Sequence, residues 1–242
     1  MKIILVIPAR YASTRFPGKP LIDINGKAMI HRVYDQCKEA IDPSLIYVAT
    51  DDESIENHCK KLGIQTILTS SSCNTGTDRV AEVAEKIEAD YYINVQGDEP
   101  VFNPEDIKRV LEILPNSNGA IVNGYCEISS ENEFNSLSTP KVVFRSDERL
   151  LYMSRSPIPG NKQKEFRFGY RQVCIYAFPK NALKAIVKHK TKTLFEEQED
   201  IEILRLLELG YEVQMVKLSS KSIPVDNPED LEKVLERINN EK

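Results

Sequence analysis

The sequence has no paired cysteine motif of the kind that builds zinc sites or disulfide frameworks. Its cysteines number five, an odd total, and no two of them form a CxxC pair. Widely spaced thiols are typical of a reducing compartment, where cysteine serves as a small apolar side chain. The five are Cys37, Cys59, Cys73, Cys126 and Cys174. We therefore expect reduced thiols in a cytoplasmic protein, and we give the three scattered histidines no chemical role.

Long apolar runs are also missing. The first run, residues 3–7, is too short for a signal peptide and is followed at once by Pro8 and Arg10. No stretch approaches the length that spans a membrane. An excess of positive charge is missing as well, since the formal net charge is −5. We therefore expect no nucleic-acid partner and no membrane insertion, and any anion site must be a local concentration of cations.

What the sequence does contain is an alternation of strand-like and helix-like segments. This alternation predicts an α/β fold with three layers and a mostly parallel sheet, which becomes mixed after a hairpin near residues 142–153. A length of 242 residues suits a single domain spanning residues 1–242. The strands are predicted at residues 2–7, 45–49, 64–68, 91–95, 120–128, 171–178 and 212–218. The helices are predicted near residues 29–37, 54–62, 78–87, 104–114, 180–188, 197–209 and 228–238.

A cation-rich loop follows the first predicted strand, where ligands collect in open α/β sheets. Residues 8–20 read PARYASTRFPGKP and carry Arg10, Arg15 and Lys19 together with the hydroxyls of Ser13 and Thr14. Such a loop suits a polyphosphate, because arginine forks and a lysine point charge stabilise phosphate oxygens. It matches neither the Walker pattern nor GxGxxG. The alternative is an ordinary exposed basic loop.

Two acidic positions follow predicted strands far apart in the sequence. Asp98 comes just after the strand at residues 91–95, and Asp226 follows the last strand. If the sheet brings them together, their mutual repulsion requires a cation, and hard oxygen ligands select Mg²⁺. The alternative for Asp226 is a turn and helix-cap residue before Pro228.

A third loop, residues 74–79, opens the third predicted helix with small and hydroxylated residues. Thr77 is either a ligand-binding residue or simply the cap of this helix. Arg79 lies in the first helical turn, where a cation opposes the helix dipole. It is therefore held there either by an anionic ligand or by a surface ion pair.

Together these loops resemble the CMP-Kdo synthetase family, the cytidylyltransferases that activate 3-deoxy-manno-octulosonate (Kdo). The resemblance covers the whole chain in order. It rests on IPARYASTRFPGKPL at residues 7–21, VATDD at 48–52, TGTDR at 75–79, NVQGDEP at 94–100, YMSRSPIP at 152–159 and VDNPEDLE at 225–232. It implies a fold like that of the nucleotide-diphospho-sugar transferases, and a homodimer whose contact involves the hairpin-containing segment near residues 140–170.

The resemblance also implies roles for individual residues. The CTP-binding set is Pro8, Ala9, Arg10, Ser13, Arg15, Lys19, Thr77 and Gln96. The acceptor-binding set is Arg79, Gln96, Gln172, Tyr176 and Glu202. Asp98 and Asp226 are the implied Mg²⁺ ligands, and with Arg10 and Lys19 they form the implied catalytic set. The implied reaction is in-line attack by the anomeric oxygen of the sugar acid on the α-phosphorus of CTP, with release of pyrophosphate.

The carboxyl half departs from the family pattern at two acceptor-side positions. Gln172 stands where family members have histidine, and Ile203 stands where they have glutamine. Gly160 also replaces a frequent aromatic residue. These changes leave the nucleotide loops intact and concern the identity of the sugar acid. For Ile203, the alternative is simple packing against a neighbouring helix.

Two other functions are compatible with parts of this pattern. A nucleotide-sugar-dependent glycosyltransferase also places an acid after a parallel strand to hold a metal, but the basic loop directly after the first strand favours a free triphosphate as substrate. A non-catalytic nucleotide-binding subunit is the other alternative. Retention of both Asp98 and Asp226 argues against it, because binding alone does not require a metal pair.

Overall fold

The computed structural model describes residues 1–12, 16–220, 222–225 and 227–240. Its strands are β1 (Ile3–Ala9), β2 (Asp23–Ile24), β3 (Lys27–Ala28), β4 (Ile46–Thr50), β5 (Thr66–Leu68), β6 (Tyr91–Val95), β7 (Ile121–Glu127), β8 (Lys141–Phe144), β9 (Leu150–Ser154), β10 (Tyr170–Pro179) and β11 (Val213–Lys217). Its α-helices are α1 (Met29–Lys38), α2 (Glu53–Lys61), α3 (Gly76–Lys86), α4 (Pro104–Ile113), α5 (Glu131–Asn135), α6 (Lys180–Lys188), α7 (Leu194–Glu199), α8 (Ile203–Glu208) and α9 (Pro228–Asn240).

The main sheet is mixed, as the sequence predicts. Its strands run in the order β11-β7-β10-β6-β1-β4-β5, with the β8–β9 hairpin attached through β10. Strands β6, β1, β4 and β5 are parallel to one another, whereas β10 is antiparallel to both β6 and β7. The chain moves outward from β1 through β4 to β5 and then returns to the other side of β1 at β6. This reversal of strand order places a crevice at the carboxyl ends of β1 and β6.

Helices cover both faces of the sheet and complete three layers. Along β1, Leu5 and Ile7 pack into the core beneath α1 and α4, while Ile4 and Val6 pack into the core beneath α3 and α6. All four side chains are buried, which explains the uninterrupted apolar run of this strand. Among the helices of the described ranges, none has both the length and the apolar character needed to cross a lipid bilayer.

One predicted helix is wrong in its extent. The sequence favours a continuous helix over residues 197–209, whereas the structure has α7 and α8 separated by Asp200, whose φ of 50° is left-handed. The Arg155 guanidinium accounts for the break. Its Nε donates to the carbonyl of Glu199 at 2.5 Å and its Nη2 to that of Asp200 at 2.9 Å. These carbonyls therefore bind a side chain instead of continuing the helix.

Candidate active site

The crevice is built where the ends of β1 and β6 approach each other closely. A Cβ atom on Gly97 would lie 2.5 Å from the carbonyl oxygen of Pro8, so no larger residue fits there without a backbone shift. The glycine thus lets the Gln96–Asp98 turn lie against the Pro8–Arg10 segment. The loop after β1 and the loop after β6, both of which the sequence singles out, therefore form one wall of the cleft.

The resulting cleft has a volume of about 660 Å³. Ten of the residues assigned by resemblance line it: Pro8, Ala9, Arg10, Lys19, Arg79, Gln96, Asp98, Gln172, Tyr176 and Glu202. Three others, Ser13, Arg15 and Asp226, lie outside the described residues. The cleft brings together chemistry from β1, β6, β10, α3 and the α7–α8 junction, segments that are far apart in the chain.

Lys19 and Asp98 form an ion pair at the floor of the cleft. The Lys19 ammonium lies 2.7 Å from Asp98 Oδ2 and donates a second hydrogen bond, of 2.8 Å, to the carbonyl of Val225. The amide of Val225 in turn donates to the Asp98 carbonyl at 2.9 Å. The short segment after β11 is thereby fixed beside the loop after β6, as the metal hypothesis requires of its two acidic loops.

The amino terminus of α3 forms the second wall. Its cap is Thr75 and not Thr77, because Thr75 and Asp78 form a reciprocal capping box. Thr77 is buried, and both its amide and its hydroxyl donate to the Glu202 carboxylate. Of this turn, Thr75, Gly76 and Arg79 line the cleft, whereas Thr77 does not. Burial raises the pKa of Glu202, while the hydrogen bonds from Thr77 lower it.

Arg79 is itself buried and forms an ion pair with a partly exposed acid, rather than the surface pair considered from the sequence. It is 3% exposed, and its Nη2 lies 3.3 Å from Asp51 Oδ2 just after β4. Its Nη1 donates to the Thr69 hydroxyl just after β5. The cation that opposes the α3 dipole is thus neutralised by an acid from a neighbouring strand end.

Arg205 anchors the same turn from the other side, a role that the sequence did not reveal. Its guanidinium binds Glu196 through two hydrogen bonds of 2.6 Å and donates to Asp78 Oδ1 at 2.9 Å. Both Arg205 and Glu196 are almost completely buried. Because Asp78 also closes the capping box, Arg205 links α7 and α8 to the cleft-lining turn.

Of the two acceptor-side departures from the family pattern, only one reaches the cleft. Gln172 lies on β10 and lines the cleft together with Tyr176. Ile203 is 1% exposed and packs in the apolar core between the sheet and α6. The structure therefore favours the packing alternative for Ile203.

Glu99 is a buried carboxyl group beside Asp98 that the sequence did not single out. It accepts a hydrogen bond from the Ser222 hydroxyl. The pKa of Glu99 is raised to about 7, chiefly by burial and also by the charge of Asp98, against the opposing effect of the hydrogen bond from Ser222. Glu99 therefore exchanges its proton near neutrality.

The part of the cleft rim formed by residues 138–140 and 155 is held by a buried lysine and by Arg155. The Lys141 ammonium is inaccessible and donates to the carbonyls of Ser136 and Thr139, at 2.7 Å each, and to that of Arg155. Arg155 then reaches the α7–α8 junction, as described above. The sequence signal that could have identified Arg155 was its position shortly after a predicted strand, in the SRSPIP segment.

The donor set of the cleft fits a hard divalent cation when both acidic loops contribute. In the described part of the chain, no three His, Cys, Asp or Glu side chains cluster so as to hold a metal ion. Asp98 supplies one partly exposed carboxylate at the floor. Mg²⁺ keeps several waters and binds substrate phosphates, so two protein carboxylates suffice, and the second would be that of Asp226, the residue after Val225 in the sequence.

Comparison with known proteins identifies related chains over the full length. Residues 4–222 match the family model described as cytidylyltransferase. The chain is 41% identical to the 3-deoxy-manno-octulosonate cytidylyltransferase of Parabacteroides distasonis, with 97% of each chain covered. It is 38% identical to the protein of the same name from Escherichia coli, with 96% of this chain and 94% of that one covered.

Solved structures agree with the sequence comparison. A structure of CMP:2-keto-3-deoxy-manno-octonic acid synthetase complexed with CTP is 36% identical, has a TM-score of 0.93 and is covered over 100% of both chains. A cytidylyltransferase from Leptospira borgpetersenii shares the fold, with a TM-score of 0.66 at 16% identity, and 99% of this chain and 87% of that one are covered.

Proposed function

This chain belongs to the cytidylyltransferase family, and from that premise we propose that it joins CMP to the anomeric oxygen of Kdo or a close analogue. The observation that carries the proposal is the cleft floor. There the cation of Lys19, the carboxylate of Asp98 and the basic Pro8–Arg10 segment meet at the switch point of the sheet.

The reaction is a nucleotidyl transfer. The anomeric oxygen of the sugar acid forms a bond to the α-phosphorus of CTP, the bond from that phosphorus to the bridging oxygen of pyrophosphate breaks, and the proton of the anomeric hydroxyl is lost. Arg10 and Lys19 neutralise negative charge on the phosphate oxygens as pyrophosphate departs. The chain's contribution is positioning and charge neutralisation, with no covalent protein intermediate.

Asp98 and Asp226 would hold Mg²⁺. When bound, the ion supplies positive charge to the triphosphate and helps to orient it. The fixed position of Val225 beside Asp98 supports this pairing, because Asp226 is the next residue in the chain. Lys19 orients the Asp98 carboxylate through its 2.7 Å contact.

A homodimer, a cytoplasmic location and a role in lipopolysaccharide or capsule synthesis complete the proposal. The β8–β9 hairpin supports the dimer, since residues near it are exposed and apolar. They are Leu137, Leu151, Leu194 and Phe195. The product, a CMP-activated sugar acid, is the form that a glycosyltransferase of surface polysaccharide synthesis consumes.

The test is release of pyrophosphate from CTP, measured with a panel of sugar acids at saturating Mg²⁺. We expect release with Kdo or a close analogue, and much less with a nine-carbon acid or without an acceptor. Hydrolysis of a nucleotide sugar, with no release from CTP, would instead indicate a glycosyltransferase. Binding of CTP without turnover on any acid would indicate a non-catalytic subunit.

We expect Asp98→Asn to abolish nearly all turnover while the protein stays folded, because the cleft loses a charge that the metal needs. The matched control is Asp90→Asn. Asp90 lies just before β6, at the opposite end of the strand, and is exposed there. Metal affinity can be followed separately by titration of Mn²⁺ in the presence of CTP. Full activity of Asp98→Asn at ordinary Mg²⁺ would remove this residue from the mechanism, and Asp226→Asn tests the second ligand in the same way.

A further inference from the structure

A fully buried asparagine lies beneath the acceptor side of the cleft. Asn123 is on β7, faces the interior with 0% exposure and stands opposite an irregularity of β10. There the register shifts between Val173 and Tyr176, so the intervening backbone leaves the regular ladder. Gly124 accommodates the close approach, because a Cβ at this position would lie 3.1 Å from the Val173 carbonyl oxygen and 2.4 Å from Leu218.

The surroundings of Asn123 determine which way its amide points. Its Nδ2 donates to the carbonyl of Val173 at 3.1 Å and to that of Ile175 at 3.0 Å. These two bonds use both amide hydrogens. The reversed amide would place its oxygen against two carbonyl oxygens, all three of them acceptors, inside the protein. Asn123 therefore directs its Oδ1 away from the strand irregularity.

Asn123 in turn fixes the amide of Gln172. The Gln172 Nε2 donates to Asn123 Oδ1 at 3.1 Å, and a reversed Gln172 would oppose two oxygens there. The Gln172 Oε1 consequently points elsewhere. Within the described residues no donor reaches it, and it is not one of the buried side-chain atoms without a partner. Because Gln172 lines the cleft, this acceptor oxygen is presented to the ligand.

We propose that Gln172 selects the sugar acid by accepting a hydrogen bond from a donor group on it, and that Asn123 is the positioning residue that fixes this preference. The ligand class is a 3-deoxy-2-keto sugar acid with a hydroxyl or an ammonium group at the matching position. A substituent that can only accept a hydrogen bond, such as fluorine or methoxy, places a second acceptor next to the Gln172 oxygen, and no hydrogen bond forms. This inference rests on the proposed function and adds the chemistry of one contact to it.

The experiment measures kcat/KM for Kdo and for analogues in which single hydroxyls are replaced by fluorine, methoxy or an amine. We expect one position at which fluorine lowers kcat/KM of the parent protein about 10-fold or more, because a hydrogen bond is lost and a desolvated acceptor is left unpaired. At that position the amine analogue shows whether the protein recognises a hydroxyl or an ammonium group. An amine used as well as the hydroxyl indicates recognition of either, and a preferred amine indicates an ammonium ligand.

Variants separate recognition from structure. In Gln172→Met, a substitution of similar length, the penalty for fluorine should disappear, while the KM for CTP stays within about 2-fold of that of the parent. In Asn123→Ala the Gln172 amide is free to rotate, and the penalty should shrink although Gln172 is present. Gln65→Met is the matched control, since Gln65 is exposed and far from the cleft. Melting temperatures show whether each variant folds. If Asn123→Ala does not fold, Gln172→Met alone tests the role of Gln172.

The outcomes distinguish this inference from the function on which it rests. Absence of pyrophosphate release with every sugar acid would refute the proposed function. Efficient use of Kdo, with a fluorine penalty at no position or with a penalty that persists unchanged in Gln172→Met, would overturn the role of Gln172 and leave the proposed function intact. An unchanged penalty in a folded Asn123→Ala would overturn the positioning role of Asn123.

Discussion

Lys19 serves two purposes at the cleft floor. It contacts the Asp98 carboxylate and also holds the Val225 carbonyl, so its charge and its geometry both contribute to the arrangement of the acidic loops. This dual contact explains why a lysine in an otherwise ordinary basic loop is partly buried. The sequence of the loop predicted a cation at position 19, whereas only the folded structure shows which groups its ammonium contacts.

Lys19→Ala should lower kcat on the order of 10²-fold or more, because a preorganised donor to developing charge is removed. Steady-state kinetics with CTP as the varied substrate would measure it. The control is Lys27→Ala, which removes a more exposed lysine paired with Asp35 on the surface. A change confined to the KM for CTP would mean that Lys19 contributes only to ground-state binding. Preference for a pyrimidine base should persist.

Glu99 should make the stability of the metal-free protein depend on pH. Its pKa in the folded protein is about 7, above the ordinary value of 4.5. The folded state therefore binds more protons between these values, and the stability contributed by the neutral carboxyl is complete below about 4.5 and is lost as pH rises through about 7. The slope is at most about 1.4 kcal/mol per pH unit.

Glu99→Gln, which keeps a neutral side chain, should remove this dependence. We expect the free energy of unfolding of the parent to fall relative to that of the variant between about pH 5 and pH 8. Chemical denaturation in the presence of a chelator measures it, with the exposed Glu105→Gln as control. Parallel pH profiles for parent and variant would contradict the assignment.

At the scale of elements, the short turn Thr75–Arg79 is fixed by three side chains from two segments, α8 with its cap residue and the loop after β4. Glu202 binds Thr77, Arg205 binds Asp78, and Asp51 binds Arg79. Consecutive residues at the start of α3 thus each have a different anchor. A cleft wall held in this way is preorganised before any ligand arrives.

Arg205→Lys should destabilise the protein by roughly 3 kcal/mol or more, since it breaks a buried two-pronged pair with Glu196. Denaturant titration measures the loss. Arg145→Lys is the matched control, because Arg145 also makes a two-pronged contact, with Asp147, but on the surface. No measurable loss is expected there. Equal effects of the two substitutions would show that burial does not determine the value of this contact.

The sequence predicted elements better than it predicted their ends and their side-chain partners. Apolar periodicity was sufficient for β1 and for the β8–β9 hairpin, because both depend on local patterns. The break between α7 and α8 was not predictable, since it depends on Arg155, about 45 residues earlier. The cap at Thr75 was readable from Asp78 three residues later, a capping-box signal that the alternative of a cap at Thr77 overlooked.

At the scale of the molecule, strand order brought ten of the predicted site residues into one cleft. Pro8 and Asp98 lie close together because they stand at the carboxyl ends of the neighbouring parallel strands β1 and β6. The general rules for α/β sheets anticipate this proximity. The contacts of Gln172 and Arg205 depend on β10 being antiparallel and on helix packing, and the sequence offers no local signal for either. Resemblance supplied Gln172, but not the asparagine that orients it.

The exposed apolar residues near the β8–β9 hairpin lead to the prediction for the whole molecule. Leu151 on β9 is 56% exposed and Leu194 at the start of α7 is 75% exposed, an unfavourable arrangement for a monomer in water. Strand β9 pairs with β8, and just before its start Arg149 forms an isolated antiparallel bridge with Gln214 of β11. Beyond that bridge the outer edge of β9 has no further strand partner among the described residues, so this part can pair with a second copy of the chain. A charge placed on this surface should therefore separate the subunits.

Leu151→Asp should convert a dimer into a monomer in sedimentation velocity at micromolar concentration, because a desolvated carboxylate opposes association. Leu62→Asp is the control. Leu62 is also exposed but lies at the end of α2, on the part of the sheet away from the hairpin, and its replacement should leave the sedimentation coefficient unchanged. Ten of the predicted site residues meet in the cleft within this chain, so folded monomers should retain pyrophosphate release. A parent protein that sediments as a monomer, or a Leu151→Asp variant that remains dimeric, would refute this surface as the subunit contact.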